Sequence, residues 1–430
     1  MFRMKRKLTK LNMMGDKIRI GLVGAGKMGR GLIHQMSRID GMRPSLIVDE
    51  IPEKAYESML STGVDPSDII KTNSLSEAEI AIQKDKFVIS EDFTLGYRLE
   101  KIQAMVDATG NPPFGAKMAY ESLINKKHVI MLNVECDAVV GPILNMIAKK
   151  NGVVYTGSAG DEPGAIVELA DFAVSLGFEL LAVGKGKNNP LNYYITEDDI
   201  REEAISKGLY PKILTSFIDG TNTMIELNSV ANALGFVPDK MGCHGVNTNP
   251  KEIADIFKLK SQGGILNQYG IVDFAFGMAP GVFAIVSSEA PEVKELMKYL
   301  SMGNGPNYSL YRPYHLTSLE TPITIYDAII EKEPTIVPLK GQIADVVTVA
   351  KRDLKRGEKL EGMGSKKVFG TLTTHEIQQR ENYLPIALIG KTAELLSDVK
   401  KDEIITYDMV KLDEESTIVK LRKEQDRLGL

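Results

Sequence analysis

The sequence predicts an α/β protein with a parallel-sheet domain, an α+β domain and a small β-rich domain. From Lys17 to about Asn151, apolar strand-like runs alternate with amphipathic helical segments, which is typical of a parallel sheet covered by helices on both faces. A second α/β region begins at Val153, and short strands broken by charged turns follow Gly341. The predicted domains are 1–151, 152–340 and 341–430.

The composition excludes several classes of protein. The 430 residues are 43% hydrophobic and 25% charged, which is ordinary for a globular protein, and the net charge of −5 argues against a nucleic-acid partner. Cys136 and Cys243 lie far apart, so we expect buried, reduced thiols. No apolar run is long enough to span a bilayer, and the basic N-terminus lacks the apolar core of a signal peptide. We therefore expect a cytoplasmic protein with no membrane partner and a frayed, solvated leader.

A glycine-rich turn near the N-terminus has the spacing of a dinucleotide-binding loop. Gly24, Gly26 and Gly29 follow a strand-like run and open an amphipathic helix, with Lys27 and Met28 between them. The first glycine permits a tight turn, the second lets the backbone approach a pyrophosphate, and the third lets helix and strand pack closely. The helix N-terminus then offers N–H groups to the phosphates, so the first domain is predicted to be a Rossmann domain.

The acidic residue expected in such a domain is Asp49, which ends the second strand twenty residues after Gly29. Its carboxylate can accept hydrogen bonds from the adenosine ribose and repel a 2′-phosphate, so NAD(H) is favoured over NADP(H).

Two later strand ends supply further cofactor candidates. Thr109, Gly110 and Asn111 follow one strand and are expected beside the nicotinamide half of the cofactor. Asn133 and Glu135 follow the next strand and are expected near the reacting ring, although Glu135 can equally be structural.

The first two regions resemble homoserine dehydrogenases in the Rossmann half, in GSAGDEPGA (157–165) and in FIDGTNTMIE (217–226). That family carries a lysine directly after the asparagine that corresponds to Asn133, and this chain has Val134 there. Homoserine is therefore the less favoured substrate.

Over nearly its whole length the chain is similar to the deoxyxylulose-phosphate reductoisomerase-like family, which joins a homoserine-dehydrogenase-type portion to a C-terminal SAF domain. The motifs that carry this resemblance are NVECDAVVGPIL, GDEPGAIVEL, GFELLAVGKGKNNP, YRPYHLTSLETP and VAKRDLKRGEKLEGMG. The resemblance implies NAD(P)-linked reduction, alone or coupled to skeletal rearrangement, of a small sugar phosphate or sugar acid.

Such chemistry needs groups that polarise a carbonyl and move a proton. Lys185 and Lys187 alternate with glycines at the end of a predicted strand, where partial burial would lower the pKa of an ammonium toward the range of proton transfer. The alternative interpretation is a solvated loop between domains.

Acidic and amide residues form the next group of candidates. Asp161 and Glu162 can bind a divalent cation such as Mg²⁺ or Mn²⁺, or they can simply cap the helix that follows. Asp219 and Asn222 belong to a turn and helix in which Asn222 shares a face with Glu226, and Asp219 can equally be a helix cap.

The remaining candidates suit an anionic substrate. Arg312 and His315 can hold a phosphate or carboxylate, or they can be a surface arginine and a core histidine. We expect the C-terminal region to be a lid or an oligomer contact in a homo-oligomer, with its charged stretch 351–358 solvated.

Three functions follow from these observations. The first is an NAD(P)-dependent oxidoreductase or oxidoisomerase of a small sugar phosphate or sugar acid. The second is a homoserine-type dehydrogenase. The third is a non-catalytic sensor that binds a dinucleotide or a carbohydrate.

Overall fold

The computed structural model describes residues 3–430, and the chain divides into two compact units. The first unit comprises Met1–Asp161, Leu316–Val337 and Leu421–Gly429; the second comprises Glu162–His315, Pro338–Lys420 and Leu430. The three-domain division remains a prediction.

The first unit is built on a parallel sheet of seven strands. They are β1 (Ile18–Val23), β2 (Met42–Val48), β3 (Ile69–Lys71), β4 (Phe87–Ser90), β5 (Ala104–Asp107), β6 (His128–Met131) and β7 (Tyr155–Gly157). Their order is β3-β4-β2-β1-β5-β6-β7, and every neighbouring pair is parallel. The direction of the winding changes between β1 and β5, where sheets of this kind bind ligands at the strands' C-terminal ends. The predicted Rossmann domain is confirmed.

Seven helices precede or connect these strands. They are α1 (Arg3–Met13), α2 (Lys27–Met36), α3 (Pro52–Leu60), α4 (Leu75–Gln83), α5 (Thr94–Arg98), α6 (Pro112–Ile124) and α7 (Val134–Asn151). The strands are buried along nearly their whole length because helices cover the sheet, which explains their continuous apolar runs.

The expected frayed leader is instead helix α1, apart from Met1 and Phe2, which lie outside the described residues. Leu8 is buried in the core of the first unit, and Lys7 donates to Glu331 at 2.8 Å. Met4 and Leu11 also pack against that core, and apolar residues spaced along a basic segment are not detected by a search for long apolar runs.

The strand near Val153 also differs from expectation. We expected it to open the second region, but β7 pairs with β6 as the last strand of the first sheet. Helix α7 returns the chain to that sheet, as in the preceding strand–helix–strand units.

The second unit contains a mixed five-stranded sheet. Its strands are β8 (Glu179–Lys187), β9 (Val246–Asn247), β10 (Ile271–Phe276), β11 (Val282–Ser287) and β12 (Asn307–Arg312). The order is β12-β11-β8-β10-β9, with β8 parallel to β10 and antiparallel to β11. The sheet therefore places β8, which carries Lys185 and Lys187, at its centre.

The helices of this part of the chain are α8 (Glu162–Ser175), α9 (Arg201–Ser206), α10 (Pro211–Ile218), α11 (Thr221–Leu234), α12 (Ile253–Ile256) and α13 (Pro291–Tyr299). Helix α8 packs against β8, β11 and α11. Because α11 is buried along almost its entire length, its polar side chains face protein rather than water. Helix α14 (Thr321–Tyr326) belongs to the first unit.

The C-terminal region is rich in short strands, as expected. It contains β13 (Ala344–Ala350), β14 (Val368–Thr374), α15 (His375–Arg380), β15 (Glu394–Leu395), β16 (Val410–Lys411) and α16 (Thr417–Leu428). Strands β13 and β14 form an antiparallel pair that packs against α11. The assignment of this region as a SAF domain remains a prediction.

Two further expectations can be compared with the described residues. Both cysteines are buried and form no disulfide, as expected, and burial raises the pKa of each thiol. Across residues 3–430, no helix combines the length and apolar character needed to cross a membrane.

Candidate functional site

The glycine-rich loop joins β1 to α2, and each of its glycines meets a different constraint. Gly24 has φ +98°, which disfavours any residue with a side chain, and Gly29 approaches Gly24 so closely that a Cβ would lie 1.9 Å from the Gly24 carbonyl oxygen. A Cβ at Gly26 would instead meet no atom within 4 Å. The first and third glycines are therefore required by the fold, whereas the second leaves open space beside the N-terminus of α2.

Asp49 lies directly after β2 and contacts this loop. Its carboxylate accepts hydrogen bonds from the Ala25 N–H at 2.7 Å and from the Ile51 N–H at 2.9 Å. Lys27 and Met28 are both exposed on the first turn of α2. The acidic residue thus lies beside the glycine-rich loop, as a ribose-binding carboxylate should.

The ends of β5 and β6 are joined by a buried side-chain network. Asn133, with 0% exposure, donates to Asp107 Oδ2 at 2.9 Å and to the Asn111 carbonyl at 3.0 Å. Thr109 donates to Asp107 Oδ1 through both its hydroxyl, at 2.6 Å, and its N–H. A Cβ at Gly115 would lie 2.5 Å from this network, so a glycine is needed there. Sequence reasoning missed Asp107 and Gly115, although Asp107 ends the strand just before the predicted cofactor residues Thr109, Gly110 and Asn111.

The other candidates of this unit surround the network. Gly110 is exposed with φ +62°, and Asn111 caps α6 by accepting from the Phe114 N–H at 3.2 Å. Glu135 is half-buried in the first turn of α7, and its burial raises its pKa to about 7. The predicted cofactor residues therefore gather at the C-terminal ends of neighbouring strands.

In the second unit, strand β8 presents two different faces through the alternation of lysine and glycine. A Cβ at Gly184 would lie 1.9 Å from the Asp273 carbonyl oxygen, and one at Gly186 would lie 2.2 Å from the Ala279 nitrogen. The glycines are therefore required because neighbouring backbone packs against them. They do not keep a loop mobile, and Lys185 and Lys187 project together from the opposite face.

Lys185 lies at the centre of a buried polar cluster. Its ammonium donates to Glu162 Oε1 at 2.7 Å and to Glu226 Oε2, and Asn222 donates to the other oxygen of Glu226 at 2.6 Å. The predicted shared face of Asn222 and Glu226 is confirmed. We refer to Lys185, Lys187, Glu162, Asn222 and Glu226 as the lysine site; it combines the start of α8, the end of β8 and the start of α11.

The charges of this site shift one another's pKa values. Burial alone would lower the pKa of Lys185, but the two carboxylates raise it above its ordinary value. Burial would raise the pKa of Glu162, yet Lys185 and His315 hold it at about 2. Burial and the charge of Glu162 raise the pKa of Glu226 to about 7, against the effect of Lys185. One ammonium between two carboxylates thus leaves one of them easily protonated.

Lys187 differs from Lys185 in its partner. It is 5% exposed, and its ammonium donates to the carbonyl of Phe217 at 2.5 Å. Burial, followed by the charge of Lys185, lowers the pKa of Lys187 to about 8. The expected lowering of the pKa therefore occurs at Lys187. At Lys185 the pKa is raised instead, because of the two lysines it is Lys185 that has carboxylate partners.

The proposed cation site is not supported by this arrangement. Glu162 is the first residue of α8, and Asp161, which precedes it, ends the first of the three segments that form the first unit. Glu162 and Glu226 already share the ammonium of Lys185, which neutralises the charge that a divalent ion would need.

The two candidates for an anionic substrate lie at and just after β12. His315 Nε2 lies 3.4 Å from Glu162 Oε1, which connects it to the lysine site. Arg312 donates to Glu168 at 2.7 Å and stacks over Tyr314, with its guanidinium carbon 4.8 Å from the ring centre. His315 therefore joins the lysine site directly, whereas Arg312 pairs with another residue of α8.

Asp219 precedes α11 and is fully buried. One carboxylate oxygen accepts from the Thr221 N–H at 2.9 Å, and the other accepts from Lys351 at 2.8 Å. The prediction that the stretch 351–358 is solvated is therefore wrong at its first residue. Lys351 is 4% exposed, whereas Lys355 is exposed. A basic run does not reveal which of its members has a buried partner elsewhere in the chain.

Comparison with known proteins relates one segment of the chain to an oxidoreductase family. Residues 160–321 match the family model described as oxidoreductase DRL, catalytic domain. The matched segment contains Glu162, both lysines, Asn222 and Glu226, and it covers less than half of the chain. No curated protein matches.

Several solved structures are similar at low identity. A probable dehydrogenase from Thermotoga maritima is 14% identical, with 75% of this chain and 92% of that chain covered and a TM-score of 0.43. Scyllo-inositol dehydrogenase from Lactobacillus casei, with bound NAD(H) and scyllo-inositol, is 12% identical, with 69% and 76% covered and a TM-score of 0.39. The WlbA dehydrogenase from Bordetella pertussis, in complex with NADH and UDP-GlcNAcA, is 18% identical, with 44% and 51% covered and a TM-score of 0.31.

The family match and the first unit lead to one conclusion about activity. The segment that carries the lysine site matches an oxidoreductase catalytic domain. The first unit has the sheet order and glycine-rich loop of a dinucleotide-binding domain. The chain is an NAD(P)-dependent oxidoreductase.

Proposed function

We propose that the protein is an NAD-dependent dehydrogenase that acts on a small, hydroxylated and anionic substrate, either a sugar acid or a sugar phosphate. The observation that carries this proposal is the lysine site, where two buried ammonium groups project from one face of β8 and the first of them, Lys185, contacts the carboxylates of Glu162 and Glu226. Buried charges of this kind are costly to stability, and groups with strongly shifted pKa values cluster at functional sites.

Two features of the first unit favour NAD binding: the backbone of the glycine-rich loop and the negative charge of Asp49. The open space at Gly26 and the N-terminus of α2 would hold the pyrophosphate, and Asp49 would accept hydrogen bonds from the ribose. The carboxylate of Asp49 would also repel a 2′-phosphate, which favours NAD over NADP. When bound, the nicotinamide accepts or donates the hydride.

Lys187 is the proton-transfer group of this proposal. Its pKa of about 8 lets it exist in both protonation states near neutral pH. Within residues 3–430 its ammonium donates to the Phe217 carbonyl alone, which leaves the other positions of its nitrogen for a substrate hydroxyl. In the oxidation direction the neutral amine accepts the hydroxyl proton. In the reduction direction the ammonium returns it to the forming alkoxide.

Lys185 has a different task because its carboxylate partners keep it charged. A permanent ammonium near the reacting carbon polarises a carbonyl and stabilises negative charge on its oxygen. Glu162 and Glu226 hold this ammonium in place, and Asn222 donates to Glu226. Arg312 and His315 provide cationic and hydrogen-bonding groups for an acidic tail of the substrate.

A coupled rearrangement is the finer form of the same proposal. An oxidoisomerase needs a proton acceptor and a fixed cation beside the carbon chain of its substrate, and the lysine site offers both groups. The resemblance to deoxyxylulose-phosphate reductoisomerase-like proteins supports this form, and the mass of the product distinguishes it from simple dehydrogenation.

The test is a screen of sugar acids and sugar phosphates against NAD(H) and NADP(H). Nicotinamide absorbance and product mass are followed together, because an internally balanced oxidoisomerase recycles its cofactor without a change in absorbance. We expect turnover with NAD(H) and an acidic or phosphorylated sugar. Turnover confined to homoserine, or to neutral sugars, contradicts the proposal.

Lys185→Ala separates an enzyme from a non-catalytic binding protein. We expect dinucleotide affinity to remain, because the glycine-rich loop belongs to the other unit, while turnover falls by about 10²- to 10³-fold. Turnover equal to that of the wild type removes Lys185 from the mechanism.

A further inference from the structure

The turn at 217–221 connects α10 to α11 and serves both lysines of the lysine site. At its start, the Phe217 carbonyl accepts from Lys187 at 2.5 Å. Just after its end, Asn222 donates to Glu226, which accepts from Lys185. Any displacement of this turn therefore moves the partners of both ammonium groups.

Lys351 fixes the middle of this turn through Asp219. Its ammonium donates to Asp219 Oδ2, to the Ile195 carbonyl and to the Ser365 carbonyl, each at 2.8 Å. Three acceptors satisfy all three donors of an ammonium. The side chain of Lys351 is 2% exposed and that of Asp219 is 0% exposed, so water does not weaken the pair.

A second contact from the same region holds the start of α11. The N–H of Gly370, on β14, donates to the Thr221 hydroxyl at 2.9 Å. A Cβ at Gly370 would lie 3.0 Å from the methyl group of Thr221, which shows how closely the strand approaches the helix. Strand β14 therefore contacts the turn directly. Strand β13 contacts the same turn through Lys351, the residue that follows the strand.

We propose that Lys351 is a positioning residue for the reaction, which acts through Asp219 to fix the 217–221 turn and thereby the partners of Lys185 and Lys187. This inference rests on the proposed function. It assigns a role to a residue outside the segment 160–321 that matches the oxidoreductase catalytic domain. The C-terminal region is then part of the machinery of the second unit.

The charge of Asp219 also acts on Lys187. Burial and the charge of Lys185 lower the pKa of Lys187, and the negative charges of Glu226 and Asp219 oppose them. Removing the charge of Asp219 should therefore lower the pKa of Lys187 further, which gives the proposal a signed consequence.

The first experiment compares Lys351→Met with Lys355→Met. Lys355 lies on the same basic stretch but is exposed, with its ammonium 2.8 Å from Asp398. We expect Lys351→Met to lower kcat at least tenfold without changing the KM for the dinucleotide, and Lys355→Met to change neither. In hydrogen–deuterium exchange, the segment 217–222 should exchange faster in Lys351→Met only.

The second experiment separates positioning from stability. The double variant Asp219→Asn with Lys351→Met removes both buried charges, so its melting temperature should recover most of what Lys351→Met loses. Its kcat should stay low, because the links to Ile195 and Ser365 are still missing. In Asp219→Asn alone, the acidic limb of the kcat/KM profile for oxidation should move to lower pH, because a negative charge that raises the pKa of Lys187 is removed.

Recovery of kcat together with the melting temperature in the double variant overturns the positioning role. An acidic limb that does not move in Asp219→Asn overturns the charge effect on Lys187. Where no substrate is found, the proposed function fails, yet exchange still decides the inference: unchanged exchange of 217–222 in Lys351→Met overturns it.

Discussion

The glycine-rich loop and the lysine site are assembled in opposite ways. The loop consists of consecutive residues, Gly24 to Gly29, whose backbone is the proposed binding surface, and Lys27 and Met28 within it are exposed. The lysine site consists of side chains from α8, β8 and α11, which lie far apart in the sequence. Glycines occur in both, but at Gly26 they leave space for a ligand, whereas at Gly184 and Gly186 they admit neighbouring backbone.

This difference determines which substitutions each region tolerates. In a loop whose function depends on its backbone, substitutions are tolerated at positions where the side chain is exposed. A single added Cβ is not tolerated where neighbouring backbone is in close contact. In a site made of buried side chains, the loss of a charge that is paired with another charge is destabilising, because the remaining charge loses its partner. The predictions below test this contrast from the largest expected effect to the smallest.

Lys187→Met should have the largest effect on activity. We expect turnover to fall by about 10²- to 10⁴-fold, the contribution typical of a positioned proton-transfer group, with dinucleotide affinity unchanged. The measurement is steady-state kinetics beside a direct dinucleotide titration. Lys207→Met, which removes an exposed lysine paired with Glu203, is the matched control. Full turnover in Lys187→Met would refute the role of Lys187.

The same variant should be more stable than the wild type. The pKa of Lys187 falls from 10.5 to about 8 on folding, so the charged form is disfavoured in the folded protein. That penalty is fully present below pH 8 and disappears as the pH rises toward 10.5. At pH 7 it corresponds to roughly 3 kcal/mol. Denaturant unfolding should therefore show a gain for Lys187→Met at pH 7 that shrinks with rising pH; a gain independent of pH contradicts this origin.

Gly26→Ala and Gly29→Ala should both lower dinucleotide affinity, by about 100-fold, but for different reasons. The Cβ at residue 29 collides with the Gly24 carbonyl and should also lower the melting temperature, whereas the Cβ at residue 26 meets only open space and should leave it unchanged. Gly390→Ala, where a Cβ also meets no atom, is the control for both measurements. Equal losses of stability in the two loop variants would show that Gly26 serves the fold instead of a ligand.

The pH dependence of turnover should follow Lys187. Oxidation requires its neutral form, so kcat/KM should fall tenfold for each unit of pH below about 8. Reduction requires the protonated form and should decline above that pH. Profiles recorded in both directions check the sign, and parallel profiles would exclude Lys187 as the shared proton carrier.

Asp49→Asn should have the smallest effect. Losing the negative charge should lower the preference for NAD over NADP by roughly tenfold while keeping the contact with the Ala25 N–H. Glu50→Gln removes a charge from the next residue and should leave the preference unchanged. The measurement is the ratio of kcat/KM for the two cofactors, and an unaltered ratio in Asp49→Asn would assign selectivity to other residues.

The sequence predicts the first region well because its information is local. The spacing of Gly24, Gly26 and Gly29 between a strand and a helix, followed by Asp49, specifies both the fold and its loop. The second region was only partly predictable. The alternation in β8 identified Lys185 and Lys187, but their opposite pKa shifts depend on Glu162 and Glu226, which no local pattern assigns to Lys185 alone.

Lys351 shows the limit of sequence reasoning most clearly. Its neighbours Arg352 and Lys355 are solvated, so composition indicated a charged tip, yet three acceptors from elsewhere in the chain surround its ammonium. Asp107 was missed for a similar reason, since its partner Asn133 becomes a neighbour only when β5 and β6 pair. Partners that come together only through tertiary contacts cannot be predicted from a local stretch of sequence.

The two buried thiols have a practical consequence for spectroscopy. Cys136 and Cys243 are shielded, and their raised pKa values keep them in the unreactive thiol form at neutral pH. A maleimide fluorophore attached to a single cysteine introduced at exposed Lys355 should therefore report on the C-terminal region with little background labelling. Changes in its anisotropy during catalysis would follow that region without any need to replace the native sulfur atoms.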